Sequence, residues 1–137
     1  MDLHTRNIVM AIAWEVRHWA EKRAQFRDKD DLNGLCAIAS AELHRQLGKA
    51  GIVSEIHMWT WDLDESAHVY CVVDDHVVDV TATQFKQFRG TKVVIMHCKE
   101  AEAYDFYQTK EVFKTAEHLR KQQKKEKWPS DQVALAA

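Results

Sequence analysis

The spacing of apolar residues changes from three-and-four to two just after Gly51, and that change constrains the fold more than any other feature of the chain. Before it, Ile8, Val9, Ile12, Val16, Trp19 and Ala20 recur at helical intervals, with Glu15, Arg17, Glu21, Lys22 and Arg23 on the other side. Residues 3 to about 26 therefore read as an amphipathic helix. Asn33-Gly34 marks a turn that can also cap a helix. A second helix follows from about 36 to 49, with Ile38, Ala39, Leu43, Leu47 and Ala50 on its stripe and Gly51 closing it at a left-handed cap. Past Gly51, Ile52, Ser54, Ile56 and Met58 alternate with Val53, Glu55, His57 and Trp59, the period of a strand over 52–59. Residues 67–73 and 76–80, joined by Asp74-Asp75, read as a tight antiparallel hairpin. A stretch over 81–91 is irregular, 92–98 is a further strand, and from about Glu100 the pattern is helical again, with Val112, Phe113, Ala116 and Leu119 as its stripe. Helices on either side of a small antiparallel sheet predict an α+β domain over 1–128, followed by a flexible tail at 129–137.

Length and composition narrow the function. A chain of 137 residues buries roughly two-thirds of its unfolded surface as one domain. Its 46% hydrophobic and 29% charged residues describe an ordinary globular protein. A net charge of -2 supplies no global field that would draw it to nucleic acid or an anionic membrane. No apolar run reaches the roughly 18 residues of a membrane span, and the N-terminus carries an early acid where a secretory leader would be basic. Three cysteines cannot all pair, which favours reduced thiols and a cytoplasmic setting.

One set of residues has the chemistry of a catalytic site: Cys36, His68 and Asp79. Cys36 stands where the Asn-Gly turn enters a helix, and the unpaired amides there favour a thiolate. Gly34 lets a substrate come close to the backbone, and the Cys36 amide is itself a free donor for an oxyanion. With Asp74-Asp75 as the hairpin turn, Asp79 faces Tyr70 and lies diagonally from His68 on one face. The carboxylate can then orient the imidazole. In this arrangement Cys36 attacks, His68 carries the proton and Asp79 positions His68.

These residues carry a family resemblance. The segment LNGLCAIASAELHRQLGKAGIVSEI resembles the Gly-x-Cys helix and following strand of the transglutaminase-like superfamily. HVYCVVDDHVVDVTATQF resembles its His and Asp strands, with the hydrophobic-Asp-x-Thr ending, and the order Cys, His, Asp at separations of 32 and 11 residues also matches. The likeness covers about 32–85. It implies a papain-like thiol fold, chemistry on amide or ester carbonyls of a protein, peptide or small molecule, and the roles of nucleophile for Cys36, base for His68 and orienting acid for Asp79. Trp59 or Gln84 is the candidate for an oxyanion-binding side chain, since an indole N–H and an amide both donate. Hydrolysis needs fewer features than amine transfer and stands slightly ahead. Neither route needs a cofactor.

Other readings compete residue by residue. Cys36 alone is a small buried hydrophobe at a helix start, and Cys71 and Cys98 read as strand packing. His57, His68, His76 and Cys71 invite a metal, yet no pair has a tight chelating spacing, so no metal is expected. Trp59 and Trp61 flank a loop over the site, either as partial core or as a wall for a substrate side chain. Asp62, Asp64 and Glu65 in that loop read as solvated, with a cationic substrate as the alternative. The stretch from Lys114 to Lys127 holds six basic and two acidic residues, a solvated helix end without the aromatic interleaving of a nucleic-acid binder. The rival from another class is a protein that keeps the thiol fold with its site unused and acts by binding or inhibiting a partner.

Overall fold

Helix α1 (Leu3–Phe26) opens a computed structural model that describes residues 1–26, 34–60 and 67–122. Asp2 begins the helix by accepting the Thr5 amide at 2.7 Å. Val9, Ala13, Val16, Ala20 and Ala24 are buried at three- and four-residue steps, with Ile12 and Trp19 packed at the margin. Arg17 departs from the expected charged side, because it is 6% exposed and turned inward.

Helix α2 (Cys36–Lys49) is enclosed more fully than one stripe requires, with Cys36 to Leu43 buried at every position. Its run of Ala37, Ala39, Ser40 and Ala41 is small enough for α1 and the sheet to approach from different sides. The helix ends in a double cap: Ile52 N–H donates to Leu47 O at 2.9 Å and Gly51 N–H to Gly48 O at 3.0 Å. Gly51 has φ 79°, a conformation a side chain would strain.

The sheet has five antiparallel strands, β1 (Glu55–Thr60), β2 (Ala67–Val73), β3 (His76–Asp79), β4 (Val94–His97) and β5 (Glu111–Phe113), in the order β4-β3-β2-β1-β5. Val73 pairs with His76 and Cys71 with Val78, so Asp74-Asp75 is the two-residue turn, with Asp74 at φ 50°. Alternation gives the sheet two faces. Ile56, Met58, Val69, Cys71, Val73 and Val78 pack against α1 and α2. Tyr70, Val72, Val77 and Val94 pack against Ala82, Phe88, Ala101, Phe106 and Tyr107.

The boundaries differ from the sequence expectation in three places. The strand expected at 52–59 begins at Glu55, because Ile52 is committed to the helix cap. The strand expected at 92–98 is shorter, since Cys98 starts a one-turn helix, α3 (Cys98–Ala101), capped by His97. The continuous helix expected from Glu100 is broken into α3, a 3-10 turn at Asp105–Tyr107, β5, and α4 (Ala116–Gln122). Val112 and Phe113 lie in β5 because β1 offers an open edge, and Phe113 pairs with Ile56 and Val112 with His57 there. No helix among the described residues is long and apolar enough to cross a membrane. The expected tail at 129–137 and the loop carrying Trp61, Asp62, Asp64 and Glu65 lie outside the described residues, as do residues 123–127 of the basic stretch before the tail.

Candidate active site

Ser40 sets the placement of Cys36. Its hydroxyl donates to Val69 O at 2.9 Å, and the Cys71 thiol donates back to Ser40 O at 3.2 Å. These two bonds lock the register of α2 on β2. One helical turn before Ser40 is Cys36, about 6 Å away, and two residues before Val69 is Ala67, about 6.6 Å away. The equal steps bring the Cys36 thiol to Ala67 O at 3.7 Å, beside His68. Cys36 is 8% exposed and lies within hydrogen-bonding reach of the His68 ring. The residue before it, Leu35, provides no side-chain cap, so the first amides of α2 have no side-chain acceptor from that position. Gly34 precedes it at φ 85° and is exposed.

His68 and Asp79 are 0% and 1% exposed, on the face of the sheet opposite the helices. His68 Nε2–H donates to Asp79 Oδ2 at 2.6 Å. That commits one ring nitrogen, and the Gln84 amide stands 3.2 Å from the other, Nδ1. Phe85 meets the imidazole edge-on at 4.7 Å and Tyr70 stacks at 5.7 Å, so the ring sits in an aromatic box. Burial alone would lower the pKa of His68, but the charge and hydrogen bond of Asp79, with a smaller part from Cys36, raise it to about 9.

Asp79 is held by four donors. Its Oδ1 accepts the Thr81 amide at 2.9 Å and the Thr81 hydroxyl at 3.3 Å. Its Oδ2 accepts Tyr107 O–H at 2.7 Å as well as His68. Burial would raise the pKa of Asp79, yet the imidazolium charge and these donors keep it below the ordinary carboxylate value. The Thr81 bonds explain the Asp-x-Thr pattern: an Asx turn bonds the side chain to the amide two residues on.

The other candidates fall in different positions. Trp59 pairs with His68 across β1 and β2 and is half-buried against the aromatic cluster. Gln84 lies in a 3-10 turn (Ala82–Gln84), with its amide on His68 Nδ1. Cys71 is fully buried, and burial pushes its pKa up; burial also raises that of the partly exposed Cys98. The histidines considered for a metal are separated: His57 bonds Thr109 and Glu55, while His76 stands beside His97. Among the described residues no three His, Cys, Asp or Glu side chains converge where an ion could sit.

Two residues here escape sequence reasoning. Tyr107 has no local signal, because it comes from an irregular segment 28 residues beyond Asp79. Arg17 reaches across from α1 and donates to Val80 O at 3.1 Å and Thr83 Oγ1 at 2.8 Å, fastening the chain that leads from Asp79 to Gln84. A cavity of about 320 Å³ lies behind Tyr70 and Tyr107, lined also by His57, Cys98, Glu102 and Thr109. Cys36, His68 and Asp79 do not line it, so it is not where a carbonyl would meet the thiol. Comparison with family models, with curated proteins and with solved structures finds no match for this chain.

Proposed function

We propose that the chain is a cysteine-dependent enzyme with a transglutaminase-like, papain-like core, acting on amide or ester carbonyls. The observation that carries this reading is the buried His68–Asp79 bond of 2.6 Å, with Cys36 at the start of α2 beside the same imidazole. A buried carboxylate fixed on Nε2 sets the tautomer and supports an imidazolium. With its pKa raised to about 9, His68 already holds the thiol's proton as an imidazolium when Cys36 Sγ bonds to the carbonyl carbon and the carbonyl electron pair moves to oxygen. The imidazolium returns that proton to the departing amine or alcohol as the C–N or C–O bond breaks, leaving a thioester at Cys36. Water or an amine then attacks the thioester through His68 and frees the thiol. Backbone amides at the start of α2 face the oxyanion, with Trp59 or Gln84 as the side-chain donor.

Hydrolysis is the favoured outcome, because water as the acceptor needs no second binding site. The cover over Cys36, 8% exposed, favours one rival, a thiol-fold protein that binds a partner without turnover. Capture by an electrophilic acyl probe separates the two. Wild type is expected to be captured at Cys36, with capture lost in Cys36→Ala and His68→Ala. Iodoacetamide near neutral pH should label Cys36 well ahead of Cys98, although Cys98 is the more exposed thiol. Labelling in order of exposure would exclude the enzyme.

A further inference from the structure

We propose that Tyr107 is a positioning residue of this site, a cross-brace that holds Asp79 against His68. The inference rests on the Cys36–His68–Asp79 reading and concerns what keeps that array in register. His68 is on β2 and Asp79 ends β3, but the β2–β3 pairing stops at Cys71 and Val78. Beyond that point the main chains are no longer laced where the two side chains must meet.

Tyr107 spans the gap. Its hydroxyl donates to Asp79 Oδ2 at 2.7 Å, and its carbonyl accepts the Tyr70 hydroxyl at 2.9 Å from the strand that carries His68. The turn is held from behind. Tyr70 OH also shares a hydrogen bond with Thr109 Oγ1 at 2.8 Å, and Lys110 N–H donates to Met58 O at 2.9 Å. One residue is therefore tied to β2 through its backbone and to β3 through its side chain. With Thr81 on Oδ1, the Tyr107 hydroxyl fills the last acceptor position of the carboxylate, so the group cannot rotate away from His68 without losing a charge-assisted bond. The Tyr107 ring, 5.8 Å from the imidazole, also helps to keep water from the His68–Asp79 bond.

The test is a double-mutant cycle of Tyr107→Phe and Asp79→Asn, with Tyr104→Phe as the control outside the machinery. Tyr107→Phe keeps the ring and removes only the donor. It should slow alkylation of Cys36 at neutral pH by about three- to tenfold. It should also move the acid-side transition of the His68 ring, followed by ¹⁵N shifts, to higher pH, because Asp79 loses a group that favours its anion. Neither change should appear when Tyr107→Phe is made in the Asp79→Asn background. Equal changes in both backgrounds, or an unmoved acid-side transition, would overturn the brace and leave Tyr107 as packing.

A second measurement needs no Tyr107 variant. In wild type the Tyr107 hydroxyl proton should be protected from exchange and shifted downfield, moving upfield in Asp79→Asn. A rapidly exchanging hydroxyl proton would also overturn the brace. These signals do not depend on turnover. Found in a protein that no acyl probe captures, they would uphold the brace while the enzyme reading failed.

Discussion

On the helix side of the sheet, Ile56, Met58, Val69, Cys71, Val73 and Val78 meet side chains repeated at helical spacing on α1 and α2. On the other side, Tyr70, Val72 and Val77 meet Phe88, Phe106 and Tyr107, which come from turns that follow no period. The first face is aliphatic, and its polar links, such as Ser40 to Val69, serve to set register. The second face is aromatic and contains His68 and Asp79, buried with their bonds satisfied. The aliphatic core and the buried His68–Asp79 pair are thus divided between the two sides of one sheet, with Cys36 reaching that pair from the helix layer. Substitutions that strike one side and spare the other can break that division.

Asp79→Asn should have the largest effect on reactivity. The amide keeps the volume but removes the charge that supports the His68 imidazolium, so acyl-probe capture should fall about 10²- to 10⁴-fold. Leu43→Ala addresses the opposite face. Leu43 is 0% exposed in α2, and truncation should cost about 2–5 kcal/mol in urea unfolding. Below its melting temperature this variant should still be captured. If Leu43→Ala abolished capture in the folded state, the two faces would not be separable.

The pH dependence sharpens the comparison, since the aromatic face holds a fully buried titrating pair. The pKa of His68 is raised from 6.5 to about 9, so its contribution is complete below 6.5 and is lost as pH rises toward 9. Asp79 is depressed below 3.8, so its contribution is complete above 3.8 and is lost as pH falls through the lower folded value. The stability difference between wild type and Asp79→Asn should therefore be largest between about pH 4 and 6.5 and shrink on both sides. A difference independent of pH would mean that the pair carries no charge in the fold.

The same division explains what could be read from the sequence. The two long helices and the hairpin follow from periods within single segments, and the Asp74-Asp75 turn sets the register that brings His68 toward Asp79. Asp79 and Thr81 stand out in the sequence only through the Asp-x-Thr pattern of the resemblance, and the Asx turn that joins them is local. Tyr107 does not stand out, because its place depends on the Tyr70 hydroxyl and on β5 adding to the open edge of β1. Val112 and Phe113 fit a helical stripe equally well until that edge is known. Arg17 looked like a solvated charge because helical spacing does not reveal which acceptors lie over a helix.

Arg17 is a second point, besides Cys36, where the two sides meet, and its removal is the smallest and most informative change. Its guanidinium, in the helix layer, bonds Val80 O and Thr83 Oγ1 just beyond Asp79 and pairs with Glu21 at 3.5 Å. Burial lowers its pKa, while Glu21 and Asp79 act against that change. Its Nε finds no partner among the described residues, so part of the desolvation is uncompensated there. Arg17→Met keeps an apolar stem in the same space and leaves Glu21 its bond to Lys92 at 3.0 Å. Loss of the carbonyl and hydroxyl contacts should cost about 1–2 kcal/mol by urea unfolding. Because Val80 follows Asp79 directly, acyl-probe capture should also fall, about two- to threefold. A loss of stability with capture unchanged would show that the helix layer supports the fold without tuning the site. Both falling together would identify Arg17 as the link that carries strain from one face to the other.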